Sequence, residues 1–121
     1  AAHIALGQAM SGIGGEGVLV VGSGFSFHNL KAFFSKDAAQ PDERNEAFER
    51  WLIDTCSEPG LDEPERTRRL LDWEDAPHAR YCHPREEHLL PLHVCYGMTG
   101  RRAETVVELR ILNKKASFYL W

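Results

Sequence analysis

The run Val18-Leu19-Val20-Val21 constrains the fold of this 121-residue chain more than any other segment. A continuous, mostly β-branched apolar run is typical of a buried strand, as in a parallel sheet. Gly22-Ser23-Gly24 follows directly, and we expect the backbone to turn sharply there. A buried strand among helical segments predicts an α/β domain, and open α/β sheets bind ligands outside the carboxyl ends of their strands.

Apolar periodicity predicts further helices and strands around this segment. The predicted helices cover residues 1–12, 46–52, 62–73 and 86–97, and the predicted strands cover 105–112 and 116–121. Pro59-Gly60 is expected to end the second helix, and Asn113-Lys114-Lys115 to form the turn between the last two strands. The order α-β-α-α-α-β-β predicts an α/β fold with a mixed β-sheet flanked by helices.

Composition excludes several classes of protein. Fourteen Lys and Arg against 18 Asp and Glu give a net charge of −4, which argues against a nucleic-acid-binding surface. A hydrophobic fraction of 43% is near the globular average, so the chain is not expected to be disordered. No apolar run approaches the roughly 18 residues that a membrane helix requires. The length suits one domain.

Cysteine usage indicates the cellular compartment. Cys56, Cys82 and Cys95 are odd in number and form no Cys-x-x-Cys pair, so we expect small core residues in a reducing, cytoplasmic environment. The chain starts at Ala1 without a methionine, and it lacks the basic and apolar regions of a signal peptide. A processed or subcloned chain is the expected explanation.

Three common motifs are absent around Gly22 and Gly24, which we call the glycine pair. Ser26 and Phe27 stand where a dinucleotide-binding fingerprint requires its third glycine. No Gly-Lys-Ser/Thr closes a phosphate loop, and the Gly-x-Ser-x-Gly pattern of a nucleophile elbow is missing around Ser23.

Histidines are the remaining candidates for chemistry. His28 follows the glycine pair at the expected carboxyl edge of the sheet, and a second group lies in His83-Pro84-Arg85-Glu86-Glu87-His88. The His-Glu-x-x-His zinc motif is absent. We expect His88, in the first turn of a helix, to point into a cleft alongside His28. His78 and His93 are expected to be packed or half-exposed imidazoles.

Four segments, in the right order, resemble a known family. The segment from Val18 to Leu30, with Gly-Ser-Gly followed by His-Asn-Leu, resembles class III extradiol ring-cleavage dioxygenases, especially the LigB-type branch that includes DOPA 4,5-dioxygenases. The segment from His83 to Leu92 is similar to that branch's His-Pro-Thr-Pro-Glu-His segment. Residues 3–9 resemble its preceding helix and residues 115–121 its closing strand, so the resemblance spans nearly the whole chain.

This resemblance implies a non-haem Fe(II) enzyme that uses O₂ to open a catechol-type ring beside its hydroxyls, with zinc found in the same site in many members. His28 would be a metal ligand or the acid/base histidine, and His88 a second catalytic or metal-binding residue. His83 would line the substrate pocket. Two His plus one further ligand would leave positions on the metal open for catecholate and O₂.

The chain departs from the family pattern in two ways. Arg85-Glu86 replaces the family's Thr-Pro, which changes the charge near the pocket. The first two metal histidines of the family lie in an N-terminal half that is not in this sequence. Residues 1–121 are therefore expected to be the C-terminal portion of one catalytic domain, with an apolar flank that pairs with the N-terminal portion or with itself.

Two other functions fit the same residues. One is a zinc-dependent hydrolase on the same scaffold, which would act on esters instead of catechols. The other is a non-catalytic α/β fragment or interaction module that binds no metal.

Overall fold

A computed structural model describes residues 1–35 and 40–121 of the chain. These residues form helices and one β-hairpin, joined by loops, with short 3₁₀ helices at Ser11–Glu16 and Trp73–Asp75. The helices are α1 Ala2–Ala9, α2 Leu30–Phe33, α3 Glu43–Ser57, α4 Glu63–Leu71, α5 Ala79–Cys82 and α6 Leu90–Thr99, and the strands are β1 Thr105–Ile111 and β2 Lys114–Leu120. None of the helices in the described residues combines the length and hydropathy needed to cross a bilayer.

Aspartate caps fix where α3 and α4 begin. The Asp42 carboxylate accepts from the Arg44 backbone N–H, and the Asp62 carboxylate accepts from Glu65 N–H. Such caps satisfy backbone donors that have no partner inside the helix. Both helices were predicted, and α4 is shorter than expected because a 3₁₀ turn follows it.

Two glycines allow α1 and α6 to pack closely. A Cβ atom on Gly7 would lie 2.1 Å from the carbonyl oxygen of Val94, and one on Gly97 would lie 2.3 Å from that of Ile4. These distances are below any van der Waals contact, so only glycine fits at the crossing. The close packing fixes α6, and with it the segment that leads into α6.

The predicted C-terminal hairpin is present. β1 and β2 pair antiparallel, from Thr105 opposite Leu120 to Ile111 opposite Lys114. Leu112 and Asn113 form the connection with φ of 48° and 61°, a two-residue turn that matches the twist of paired strands. The Asn45 side chain joins β2 to α3 by accepting from Lys115 N–H and donating to its carbonyl oxygen.

The core lies between α3, α4, α5 and the hairpin. Its fully buried apolar side chains come from the segment after the glycine pair and from the helices, and include Phe27, Phe48, Leu52, Leu70 and Cys82. Cys56 is also buried and Cys95 is half-buried, and all three thiols are free, as expected.

The prediction of a buried strand at Val18–Val21 is wrong for this structure. The segment forms no β pairing within the described residues, and Leu19 and Val21 are 85% and 74% exposed. A strand becomes buried on both faces only when neighbouring strands and helices cover it, and no strand of the described residues pairs with this segment.

The expected sharp turn at Gly22-Ser23-Gly24 is also wrong, because the backbone forms no turn or bend at these residues and first bends at Ser26. Close approach is the reason for these glycines: Cβ atoms on Gly22 and Gly24 would lie 2.6 Å from Cys95 Sγ and 2.4 Å from the His88 carbonyl oxygen.

The start of the last helix differs from the prediction of residue 86. Residues 84–89 form successive turns, and α6 begins at Leu90 with a proline in its first turn. The helix ends at Thr99, where Gly100 adopts the left-handed conformation that favours glycine. His88 therefore precedes the helix instead of lying in its first turn.

Candidate functional site

Two predicted site residues, His28 and His88, lie against each other. Their imidazole rings stack with centroids 3.5 Å apart and planes tilted by 24°, and both residues are half-buried. Sixty residues of sequence separate them, so the fold brings them together. We call these two side chains the histidine pair.

Backbone contacts to α5 hold His28. Its N–H donates to the Cys82 carbonyl oxygen at 3.0 Å. The side chain of the next residue, Asn29, donates to the Tyr81 carbonyl oxygen at 2.7 Å and accepts from Ala32 N–H as the cap of α2. The His-Asn-Leu sequence thus anchors the segment on one side and starts a helix on the other.

The His88 backbone is held by the glycine segment. Its carbonyl oxygen accepts from Phe25 N–H at 2.9 Å. That bond requires the backbone at Gly24 to pass so close to His88 that no side chain fits between them. The Gly-Ser-Gly and His-Pro sequences therefore meet at the histidine pair.

His83 lies beneath the pair and is fully buried, not exposed in a cleft. Its Nε2 donates to the Ser26 carbonyl oxygen at 2.6 Å, and its Nδ1 has no partner among the described residues. The Phe48 and Trp73 rings flank it, with centroids 5.3 Å and 6.0 Å away. Burial lowers the pKa of His83 to about 4, so the ring is neutral at pH 7. Its assignment to substrate binding stays a prediction, and the structure gives it no contact with the cleft.

The surroundings of His28 favour its neutral ring. Burial, and then the neighbouring His88, lower the pKa of His28, and Glu87 opposes this shift. A proton on His28 would be repelled by a proton on the ring stacked on it. His28 is therefore favoured in the neutral form, which is the form of imidazole that binds metals.

The donor set fits part of a metal site. Within the described residues, no group of three or more His, Cys, Asp or Glu side chains is arranged to hold a metal ion. An imidazole binds a metal in the plane of its ring at about 2.1 Å. Two rings stacked at 3.5 Å with a 24° tilt do not share a point at that distance from both nitrogens. The pair in this arrangement thus provides one ligand and one imidazole beside it.

A cavity of about 1080 Å³ opens beside His28. Its walls carry polar and charged side chains, among them Asn29, Lys31, Arg44, Tyr81, Arg85 and Glu87. Arg85 forms an ion pair with Glu87 at 3.3 Å and is 83% exposed, so the departure from the family's Thr-Pro adds charge at the rim of this cavity.

A charged cluster on the cavity wall was missed in the sequence. The Asp42 carboxylate accepts from the Tyr81 hydroxyl and pairs with the buried Lys114 ammonium at 3.3 Å, while the Arg44 guanidinium lies 3.6 Å above the Tyr81 ring. Burial, and then Asp42, raise the pKa of Tyr81 to about 12. No spacing signals this cluster, because its members come from segments far apart in sequence.

Among the remaining histidines, His93 is packed as expected, whereas His78 is more exposed than expected. His93 is buried, with Nε2 2.8 Å from the Leu70 carbonyl oxygen. His78 is exposed and precedes α5 with a left-handed backbone, φ 57°.

Relatives of known activity identify the family. The chain is 32% identical over 113 residues to the 4,5-DOPA dioxygenase extradiol of Portulaca grandiflora and 31% identical over 103 residues to that of Beta vulgaris. These matches cover 89% and 84% of this chain. The chain belongs to the extradiol dioxygenase family. The family resemblance drawn from the sequence is thus confirmed, although no protein-family model matches the chain.

The chain spans little more than a third of these extradiol dioxygenases, 38% of the Portulaca protein and 36% of the Beta protein, and corresponds to their C-terminal portion. An extradiol-like protein of Schizosaccharomyces pombe matches at 29% identity over 84% of the chain.

The fold comparison agrees with a partial domain. The crystal structure of an uncharacterised protein from Escherichia coli K12 matches 96% of this chain with a TM-score of 0.73 and 22% identity, and the match covers 49% of that protein. The predicted fold class, helices around a sheet as part of a larger extradiol-dioxygenase domain, is confirmed. That residues 1–121 belong to one catalytic domain stays a prediction.

Proposed function

We propose that the complete protein is an extradiol dioxygenase that opens the ring of a catechol-type substrate with O₂ at a non-haem metal, and that this chain supplies one side of the site. The observation that carries the proposal is the stacked pair His28 and His88 in an extradiol-family chain. Fe(II) is the proposed metal, and zinc is the alternative occupant of the same site. A cytoplasmic location is part of the same proposal.

We assign different roles to the two rings. His88 is the ligand, because its segment is fixed by the Phe25 hydrogen bond and by the helix that follows. His28 is the acid/base residue, because it borders the cavity where a substrate would approach. A bound metal would supply Lewis acidity and bring catechol and O₂ together. The His28 imidazole would then accept and return a proton at the substrate hydroxyl.

The remaining ligands are proposed to come from the rest of the domain. The charge-poor surface formed by residues 18–21 supports this, since Leu19 and Val21 expose most of their area. Contiguous apolar surface of this kind marks an interface. Either the N-terminal portion of the same domain or a second copy of this chain is the proposed partner.

Oxygen uptake by the complete protein tests the proposal. With Fe(II) and a panel of catechols, we expect O₂ consumption and a coloured ring-opened product. His28→Gln should lower kcat by about 10²–10⁴-fold with metal still bound, the usual contribution of an acid/base residue. His88→Gln should lower the metal content itself.

His78→Gln is the matched control, since His78 is exposed and outside the pair. It should leave both activity and metal content unchanged. Ester hydrolysis without O₂ uptake would overturn the proposal in favour of a hydrolase.

A further inference from the structure

Of residues 83–88, His83 alone is buried in the core. Among the described residues its ring makes one hydrogen bond, from Nε2 to the Ser26 carbonyl oxygen. A carbonyl oxygen only accepts, so Nε2 carries the proton and the ring is in one defined tautomer. Ser26 stands two residues before His28, which makes this bond a link to the histidine pair.

Contact of His83 with a substrate does not fit this geometry. The residue has no exposed surface, and the Phe48 and Trp73 rings lie against it. The cavity beside His28 is bordered by Pro84 and Arg85 but not by His83. A ligand in that cavity meets the residues after His83 instead.

Three hydrogen bonds join the segment 26–29 to the segment 81–83. They run from His83 Nε2 to Ser26 O, from His28 N to Cys82 O, and from Asn29 Nδ2 to Tyr81 O. Ser26 is also held from its other side, because its hydroxyl oxygen accepts from Ser117 N–H of β2 at 2.8 Å. The carbonyl that His83 binds therefore belongs to a fixed point in the core.

The backbone of His83 leads directly to the second ring of the pair. Only the turn at residues 84–87 separates it from His88. His83 thus affects both members of the histidine pair. Its ring fixes the segment that carries His28, and its main chain begins the turn that carries His88.

We infer that His83 is a positioning residue for the histidine pair, holding the Ser26 carbonyl through Nε2–H and so setting how the His28 and His88 rings meet. The catalytic meaning of this inference rests on the proposed function, but the positioning itself does not.

The test compares two buried histidines of matched chemistry. His83→Leu removes the donor to Ser26, and His83→Gln keeps one. His93→Leu is the control, because His93 is also buried and bonded to a backbone carbonyl, but of Leu70. The readouts are NMR contacts between the His28 and His88 rings, and hydrogen exchange at His28 N–H relative to Ala103 N–H, which bonds Cys56 in the core.

We expect His83→Leu to lose the ring-to-ring contact and to speed exchange at His28 about tenfold more than at Ala103, as for a lost buried hydrogen bond. His83→Gln should restore both readouts, and His93→Leu should speed exchange at both amides equally. If His83→Leu behaves like His93→Leu, the role is merely structural and the inference fails. Should His83→Leu not fold, His83→Asn serves instead, since its shorter amide does not reach Ser26.

A kinetic measurement on the complete protein separates this inference from the proposed function. A positioning role predicts a lower kcat with an unchanged KM for His83→Leu, whereas a substrate contact predicts a higher KM. Absence of any catechol turnover in the parent protein would count against the proposed function alone, because the NMR result does not depend on activity.

Discussion

At the residue scale, the buried carboxyl of Glu49 makes stability depend on pH. It is fully buried on α3, where Ser117 Oγ donates to its Oε2 at 2.6 Å. Burial raises its pKa to about 7, although the hydrogen bonds from Ser117 and Ser26 oppose the shift. In the unfolded chain the carboxyl titrates near 4.5. The folded protein therefore holds this proton more tightly than the unfolded chain.

Glu49→Gln is expected to remove this pH dependence. A raised carboxyl pKa means that stability is greatest below pH 4.5, falls as the pH rises to about 7, and is level above that. The variant should match the parent at pH 4.5 and be more stable by up to about 3 kcal/mol at pH 8. Urea unfolding of both proteins across this range measures the difference.

The two proteins must be compared because His83, whose pKa is lowered, makes stability rise with pH below pH 6.5, which is opposite to the effect of Glu49. Taking the difference between variant and parent cancels the contribution of His83. Glu43→Gln, an exposed substitution on the same helix, is the control and should leave the pH dependence of stability unchanged. A constant offset between Glu49→Gln and the parent at all pH values would contradict the prediction.

Gly24→Ala is a second change at the residue scale with a steric reason. The added Cβ would lie 2.4 Å from the His88 carbonyl oxygen, so one backbone segment must move and the Phe25-to-His88 hydrogen bond is lost. We expect the free energy of unfolding, measured by thermal denaturation, to fall by about 1–3 kcal/mol. NMR spectra should show that the two histidine rings have separated. Gly15→Ala, where nothing lies within 4 Å of the new Cβ, should have little effect.

At the scale of elements, Arg66 joins the end of α3 to the start of α4. Its guanidinium is fully buried and donates to the carbonyl oxygens of Thr55, Glu58 and Leu61. It also pairs with Glu63 at 3.1 Å. Carbonyls at the end of a helix have no partner within it, and Arg66 supplies one.

Arg66→Met is therefore expected to remove the donor to the Thr55 and Leu61 carbonyls, while the Glu58 carbonyl still accepts from Leu61 N–H at 3.3 Å. We expect a cost of about 2 kcal/mol or more in urea unfolding, at about 1–3 kcal/mol for each buried group left unsatisfied. Arg69→Met, which removes a partly exposed ion pair with Glu65, should cost less than about 1 kcal/mol. Equal losses of unfolding free energy for the two variants would show that the buried hydrogen bonds of Arg66 stabilise the protein no more than the partly exposed ion pair does.

Local signals predicted the elements well where their cause was local. Asp62 caps α4 at its predicted start, whereas the Asp42 cap begins α3 at Glu43, earlier than the predicted residue 46. The hairpin turn lies at Leu112 and Asn113 and not at the predicted Asn113-Lys114-Lys115, since both lysines belong to β2. The error at the start of α6 arose because Glu86 and Glu87 suit a helix start, whereas the tertiary bond from Phe25 to His88 favours turns there. The prediction at Val18–Val21 failed because a buried parallel strand needs partner strands that lie far away in the sequence.

At the scale of the whole molecule, the resemblance to a family gave the site its expected chemistry. The residues alone placed His28 and His88 at one cleft, and the fold stacks the two rings. The resemblance then implied catalytic and metal-binding roles for them. The buried position of His83 and the Asp42–Tyr81 cluster were beyond prediction, because both depend on hydrogen bonds between segments that only the folded core brings together.

The apolar surface at Val18–Val21 has a consequence for the whole molecule. Since Leu19 and Val21 are largely exposed, and Leu120 at the end of β2 is 56% exposed, the 121-residue chain should self-associate at high concentration. Leu19→Lys is expected to lower the association constant measured by sedimentation without lowering stability, because the side chain has few contacts to lose. Leu71→Lys, on the exposed side of α4, should leave association unchanged.

In the complete protein the same Leu19→Lys change should instead lower stability, because a Lys side chain would then be buried against the rest of the domain. A chain that stays monomeric, together with a complete protein indifferent to Leu19→Lys, would mean that this surface packs against neither partner.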